Sequence, residues 1–576
     1  AFGSSFAGWG TSWVDLNPAG APGSYGYGVS GGQQVGVAWV GDYLHASLWS
    51  GTAASWVDLH PAGATGHSFA YGVDGGQQVG NAYVGGVYRA SLWSGTAASW
   101  VDLHPAGATS SDTHGVFDGQ QVGAADVNGR EHASLWSGTA ASWVDLHAFW
   151  PVGDSISTAE SIWSDGIFTY VAGYGLLAGE DRQALLWKVE LCVDQDGDGL
   201  CDDWETNGIP YIDSAGVAQR YLLPGADPLR KDIYIEVDAM AGRAPIQAAL
   251  DRVIASFNTA PIPAPPGGLP GVTLHVVVDE QNLPLRPYPN GFVEFQQDKT
   301  THFGTPAERA DAANWPMVKK AKAKAYRYCI FADSHGGGTS SGLADLPGDD
   351  FMVTLGLWTQ PGGTEQQQAG TFMHELGHTL GLGHGGDQLD KNYKPNYFST
   401  MSYMWQSPKP WMLSGTGPGY WESYFPNYSD RQLPDLNENS LNEVIGIQGH
   451  IPTVWIPYSI PAGTVNCDSG AMCVAAPSDA CMRYARFSGP VDWDNDCHAN
   501  SPATGLLDIN NIANSGGPSP GDNLTGFNDW PHLLYNFRGQ PNSAEGAVPT
   551  DSPVEIDLAT DLYLNSLPPP PRVADL

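Results

Sequence analysis

The stretch His374-Glu375-Leu376-Gly377-His378-Thr379-Leu380-Gly381-Leu382-Gly383-His384 decides how the chain is read, because it sets three imidazoles and one carboxylate within eleven residues. A helix turns about every 3.6 residues, so the step from His374 to His378 predicts both rings on one helical face, where one ion can bridge them. Glu375 then lies beside that ion. Gly381 accepts the backbone turn that ends such a helix, which lets the chain swing His384 back as a third ligand. Three protein ligands leave a coordination position open for water, the arrangement of a catalytic zinc site rather than a structural one.

Downstream comes Ser399-Thr400-Met401-Ser402-Tyr403, with Met401 lying 17 residues beyond His384. Together with H-E-x-x-H-x-x-G-x-x-H this resembles the metzincin metalloproteases, over about residues 231–403. The resemblance implies zinc held by His374, His378 and His384, with Glu375 as general base. It implies that Met401 packs beneath the histidines as the Met-turn methionine, and that Tyr403 stands beside the metal and hydrogen-bonds a tetrahedral oxyanion. It also implies an α+β catalytic domain whose edge strand binds substrate by strand addition, and Met352, Val353, Thr354, Leu355, Gly356 and Leu357 are the expected platform. Gly385-Gly386 after the third histidine does not single out one branch; a pappalysin-like or related bacterial branch is the expected one.

The first third has a different character. Ser-Trp-Val-Asp-Leu recurs with its tryptophan at Trp13, Trp56, Trp100 and Trp143, a period of 43 or 44 residues. Each unit carries a Gln-Gln-Val-Gly segment and an Ala-Ser-Leu-Trp segment between turn-forming residues, which reads as about four strands per unit and hence as a β-propeller blade. The repeat phase predicts four blades, with residues 12–16 completing the last blade and closing the ring. The recurring Trp and Asp residues are expected at blade cores and turns. The alternative is a binding platform for glycan or protein, suggested by the aromatics and by His45, His60, His104 and His132, in which His60 shares a repeat position with His104 and His45 with His132.

After the repeats, Asp194-Gln195-Asp196-Gly197-Asp198-Gly199-Leu200-Cys201-Asp202-Asp203-Trp204-Glu205 fits a twelve-position calcium loop. The expected ligands are Asp194, Asp196, Asp198, Asp202 and Glu205 through side chains and Leu200 through its carbonyl. Asp492, Asp494 and Asp496 repeat only part of this pattern. From Lys231 the sequence changes to strand and helix: strands at 233–237, 272–278, around Ile330 and at 351–356, and helices at 246–257, 316–326 and in the zinc segment. A short helix is expected at 436–445.

A length of 576 residues predicts a multidomain chain: 1–188 an all-β propeller, 189–230 a calcium-loop junction, 231–405 the catalytic domain, and 406–576 an irregular C-terminal region. A formal charge of -36 disfavours nucleic acid and anionic membrane as partners, and no apolar run reaches a membrane span. The seven cysteines lack a short zinc-type pair, so disulfides are the expected use. Cys192 and Cys201 flank the acidic loop, Cys467, Cys473, Cys481 and Cys497 cluster, and Cys329 reads as a buried thiol. The sequence opens at Ala1 on no charged-then-apolar segment, as a mature secreted form would, and a secreted, extracellular protein is expected. These features predict a secreted zinc endopeptidase that hydrolyses peptide bonds in protein or peptide substrates, with zinc and calcium as cofactors. A rival class is a surface-adhesion or glycan-binding propeller protein whose zinc domain is latent or inactive.

Overall fold

The computed structural model describes residues 13–150, 155–164, 168–176, 181–190, 192–389, 391–408, 426–448, 455–461, 480–486, 490–494, 503, 507–510, 521–538 and 556–566. The chain divides into two compact units, Ala1–Cys192 and Val193–Leu576.

In the first unit each repeat folds as an antiparallel meander. The first sheet comprises Ser24–Ser30, Gln33–Val40, Tyr43–Trp49 and Val57–Asp58, and the next two, beginning at Ser68 and Ser110, follow the same order. Tight hairpins such as Asn128-Gly129, with φ of +56° and +78°, have the twist that continues the pleat. Trp49, Trp93 and Trp136 fill the sheet cores and are at most 1% exposed. The recurring polar residues are tied internally. Trp56, Trp100 and Trp143 each donate an indole N–H to Ser47, Ser91 or Ser134 at 2.9 Å. Consecutive sheets are joined by Ser68, Ser111 and Ser157, whose hydroxyls accept the backbone N–H of Ala46, Ala90 and Ala133 at 2.9, 2.9 and 3.0 Å. His60, His104 and His147 reach the same three hydroxyls at 2.8, 2.7 and 2.7 Å. These joints account for His60 and His104 as architecture, while His45 and His132 pair with Asp58 at 2.8 Å and Asp145 at 2.9 Å.

This region is propeller-like, but the predicted ring closure is not found. The fourth sheet, Ile156–Ser164, Phe168–Leu176 and Arg182–Glu190, has three strands. Trp13 and Val14, expected to supply its fourth strand, are irregular and 86% and 60% exposed. The repeat phase identifies a strand sequence; it does not supply the long-range pairing that closure needs.

The second unit is built on a five-stranded mixed sheet: β1 (Asp232–Ala239), β2 (Thr273–Val278), β3 (Tyr326–Phe331), β4 (Gly342–Ala344) and β5 (Asp350–Val353), in the order β2-β1-β3-β5-β4. All pairings are parallel except β4 with β5. Every residue of β1 is buried, as in a strand covered on both faces. The helices among the described residues are α1 (Asp202–Asn207), α2 (Gln247–Asn258), α3 (Phe292–His302), α4 (Pro306–Ala310), α5 (Trp315–Lys322), α6 (Glu365–Thr379) and α7 (Leu558–Ser566). Phe372, Leu376 and Leu380 of α6 and its end pack with Ile235, Val237 and Phe351 in one core, which Trp530 and Leu533 from the C-terminal region also enter. The helix expected at 436–445 is absent: Leu436–Asn437 pairs with Asn523–Leu524, and Leu441 and Ile447 enter a second core from turns.

Cys329 is a free thiol buried in β3, and Cys192 and Cys201 are disulfide-bonded. Cys467, Cys473, Cys497 and Asp496, and the side chain of Cys481, lie outside the described residues.

Candidate metal centres

Helix α6 begins with a capping box in which Thr364 and Gln367 exchange side-chain to backbone bonds, at 3.2 Å to Gln367 N and 2.9 Å from Thr364 N. From Gln368 onward every residue is buried, so the two histidines project from a helix locked on all sides. The helix ends as the glycine predicts. Gly381 has φ +88°, its N–H bonds the His378 carbonyl at 2.8 Å, and Leu382 N–H bonds the Gly377 carbonyl at 2.9 Å. The chain thereby returns His384 to the cluster, where one ligand atom from each of His374, His378 and His384 lies within 4.8 Å of the others.

The hydrogen bonds at the rings set the tautomers. His374 Nδ1 faces the Thr400 carbonyl at 2.9 Å and His378 Nδ1 faces the Leu382 carbonyl at 2.7 Å, so both Nδ1 atoms carry the proton and donate. Their Nε2 atoms are then lone-pair acceptors aimed at one point, 3.1 Å apart. Two such lone pairs repel unless a cation lies between them. This donor set fits zinc: three imidazoles, two of them oriented by carbonyls.

Glu375 is fully buried, and a Cβ built on Gly342 would meet its Oε1 at 2.2 Å. The backbone of β4 therefore passes directly against this carboxylate. Among the described residues β4 is the outer strand of the sheet, which corrects the expected platform. Met352 and Val353 belong to β5, one strand further in, while Leu355, Gly356 and Leu357 form a 3-10 turn. Thr354 joins the start of β4, its N–H donating to the Ser341 carbonyl at 2.7 Å. The β4 segment is only three residues long and contains glycine, so its sequence has no strand signature. His335 Nε2 lies 2.7 Å from the Gly342 carbonyl. Ser341 N–H bonds the Ile556 carbonyl at 2.8 Å, so the C-terminal region covers the strand's approach.

Met401 is fully buried, and its sulfur would be 2.3 Å from a Cβ at Gly377, placing it against α6 between His374 and His378. The Tyr403 ring is 4.6 Å from His384 and 5.8 Å from His374 between centroids. Both lie where the sequence places them. The turn that carries Met401 is held by Asp529, which accepts hydrogen bonds from Tyr397 at 2.7 Å, Ser399 at 2.5 Å and Ser429 N–H at 2.9 Å. Burial pushes the Asp529 carboxyl up to about 6 against the lowering pull of these donors. No local signal links Asp529 to a turn 130 residues earlier.

In the acidic loop Asp194, Asp196 and Asp198 bring carboxylate oxygens within 4.8 Å of one another. Glu205, on α1, is 6% exposed and neither of its oxygens has a hydrogen-bond partner. Burial, then the neighbouring carboxylates, push Glu205 up to about 10, Asp196 up to about 7 and Asp198 well above its ordinary value. Crowded oxygen-only donors of this kind fit a hard cation such as calcium. Asp202, also an expected ligand, accepts the Gln195 N–H at 2.9 Å. Asp202 is the first residue of α1, and that bond closes the loop on itself.

A third acidic group lies in the β4–β5 connection, unmarked by any sequence motif. Asp345, Asp349 and Asp350 cluster with Lys299, whose ammonium bonds Asp349 at 2.8 Å and Asp350 at 2.5 Å.

No family model matches the chain, and no curated protein matches it. Solved structures similar to it include the acylaminoacyl peptidase of Pyrococcus horikoshii in its orthorhombic crystal form, at 13% identity and TM-score 0.21 over 39% of this chain and 36% of that one. An acylaminoacyl peptidase in complex with Z-Gly-Gly-Phe-chloromethyl ketone is similar at 11% identity and TM-score 0.22, over 53% of this chain and 48% of that one. The chain thus spans less than half the length of either, and likeness at this level assigns it neither a fold nor an activity.

Proposed function

We propose that the second unit is a zinc-dependent endopeptidase of metzincin type, secreted, with calcium at the acidic loop and the repeat unit as a supporting or target-binding module. The observation that carries the reading is the convergence of two Nδ1-protonated imidazoles and a third histidine beside a buried carboxylate at the sheet's outer strand. His374, His378 and His384 would hold the zinc. Bound zinc supplies Lewis acidity toward a water molecule and a peptide carbonyl.

Glu375 accepts the proton of the attacking water and delivers it to the leaving amine nitrogen, so that one carboxylate acts as base and then as acid. Burial keeps that carboxylate away from competing solvent, and the bare backbone at Gly342 is what allows it to reach the scissile bond of a peptide added along β4. Tyr403 donates its hydroxyl proton to the tetrahedral oxyanion. A secreted setting is supported by the Cys192 and Cys201 disulfide. The tying of His60, His104 and His147 between sheets favours a scaffold role for the repeat unit over a histidine-lined binding platform.

The test is Glu375→Gln in the full chain, read by zinc content and by cleavage of a mixed peptide library. Zinc is expected to be retained while hydrolysis falls by about 10²- to 10⁴-fold, the range for loss of a general base. Undiminished cleavage by the variant, or no cleavage by zinc-loaded wild type, overturns the proposal.

A further inference from the structure

Asp202 of the acidic loop accepts the Gln195 N–H. A carboxylate from outside the loop stands beside Asp198 and Glu205. Asp232, the first residue of β1, brings an oxygen within 4.8 Å of oxygens of both Asp198 and Glu205, and is 3% exposed. Asp198 belongs to both clusters, the one within the loop and the one with Glu205 and Asp232. It is also bonded to β1 directly, since its Oδ2 accepts the Asp232 N–H at 2.6 Å.

We propose that Asp232 completes a calcium site whose remaining ligands come from Asp194, Asp196, Asp198 and Glu205, so that the cation fastens the loop to the first strand of the catalytic sheet. The inference rests on reading the loop as a calcium site and extends it to a residue that no loop motif contains. Three observations carry it. First, Glu205 is more than nine-tenths buried with both oxygens lacking a hydrogen-bond partner, and Asp196 Oδ2 is in the same condition. Buried carboxylate oxygens without donors are costly unless a cation meets them. Second, the hydrogen bonds that Lys231 and Arg538 make here go to backbone, to the Asp196 and Gly199 carbonyls. Third, Asp232 is aimed. Its Oδ1 lies 2.5 Å from His275 Nε2 and its Oδ2 accepts the Asp227 N–H at 2.8 Å, while the His275 ring is stacked on Tyr234 at 4.2 Å. Each carboxylate oxygen has a second lone pair for a cation, and such outer donors are what orient ligating carboxylates.

The consequence is structural coupling. β1 is hydrogen-bonded to β2 and β3, and β3 leads through β5 to β4, the strand against Glu375. Calcium held partly by Asp232 therefore stabilises the sheet on which the peptidase reading depends, and not the loop alone.

The experiment is calorimetric titration of calcium into the calcium-depleted full chain, zinc restored, for wild type, Asp194→Ala, Asp202→Asn and Asp232→Asn. The expected order is strong binding by wild type, none by Asp194→Ala, an unchanged constant for Asp202→Asn, and about a tenfold or greater weakening for Asp232→Asn. Wild-type affinity in Asp232→Asn, alongside loss in Asp194→Ala, overturns the role of Asp232 while leaving the loop as a calcium site. Absence of binding by wild type overturns the loop reading and this inference together. Hydrogen exchange on the unmodified chain tests the same point should Asp232→Asn fail to fold: saturating calcium is expected to slow amide exchange in β1 by about tenfold or more. Slowing confined to the loop, with β1 unaffected, overturns the inference.

Discussion

Polar groups are buried in both units, but the first buries hydroxyls, each met by a half-buried imidazole, in three copies of one joint, whereas the second buries charge in joints built from single residues. Ser68, Ser111 and Ser157 each bind a backbone N–H and an imidazole across consecutive sheets. No one of these joints is indispensable, since its neighbours repeat it, and stability in such arrays is a sum of local terms. In the second unit Lys299, Asp529 and the acidic loop each hold segments far apart in sequence, and each has no duplicate. The difference teaches that damage is expected to stay local in the first unit and to spread in the second.

That contrast is open to direct attack, beginning where the effect is largest. Lys299→Met leaves Asp345, Asp349 and Asp350 buried together without their ammonium partner. Breaking a buried ion pair from one side costs about 3 to 5 kcal/mol, so denaturant unfolding should show a loss of that order, confined to the transition of the second unit. A loss near zero would mean that this cluster is not the concentrated joint described above. Next in size, Ser111→Ala removes a hydroxyl that accepts Ala90 N–H at 2.9 Å and meets His104 at 2.7 Å. About 1 to 2 kcal/mol is expected from the first unit's transition. The matching change at Ser68 should cost a similar amount; a several-fold disparity between them would break the claim of equivalent joints.

The smallest effect is one of pH. His114 lies between Asp112 at 3.4 Å and Glu160 at 3.2 Å. Burial alone lowers its pKa, but the Asp112 hydrogen bond and the charges of Asp112 and Glu160 outweigh it and raise the group to about 9. A raised folded-state value means that the protonated ring stabilises the fold: the contribution is full below about 6.5 and is lost as the pH climbs through about 9. Melting of the first unit should therefore fall slightly over that window, and His114→Gln should flatten the slope. Because Glu160 is half exposed, the change is expected to be modest.

The clustering of His374, His378 and His384 and the end of α6 were legible in sequence because their geometry is fixed by helical spacing and one glycine, all within a short span. The repeat meanders were legible for the same reason, since hairpin turns and alternation are local. What was misread depends on distance or on exceptions to pattern. β4 is too short to announce itself, and the residues expected on an edge strand, Met352 and Val353, lie one strand further in. The apolar residues at 436–445 have helical spacing, yet Leu436 and Leu441 are buried from a bridge and a turn. Asp232 and Asp529 act on partners that no window of sequence contains.

The joint at Ser68, Ser111 and Ser157 has a consequence for how such a chain can change over generations. Every junction presents the same donor, the same hydroxyl and the same imidazole, so duplicating or deleting one whole repeat of 43 or 44 residues recreates a junction already present. Copy number is thus free to drift in whole steps without a new interface having to be invented, and the connecting turns absorb small differences in length, since Ser157 still meets Ala133 N–H.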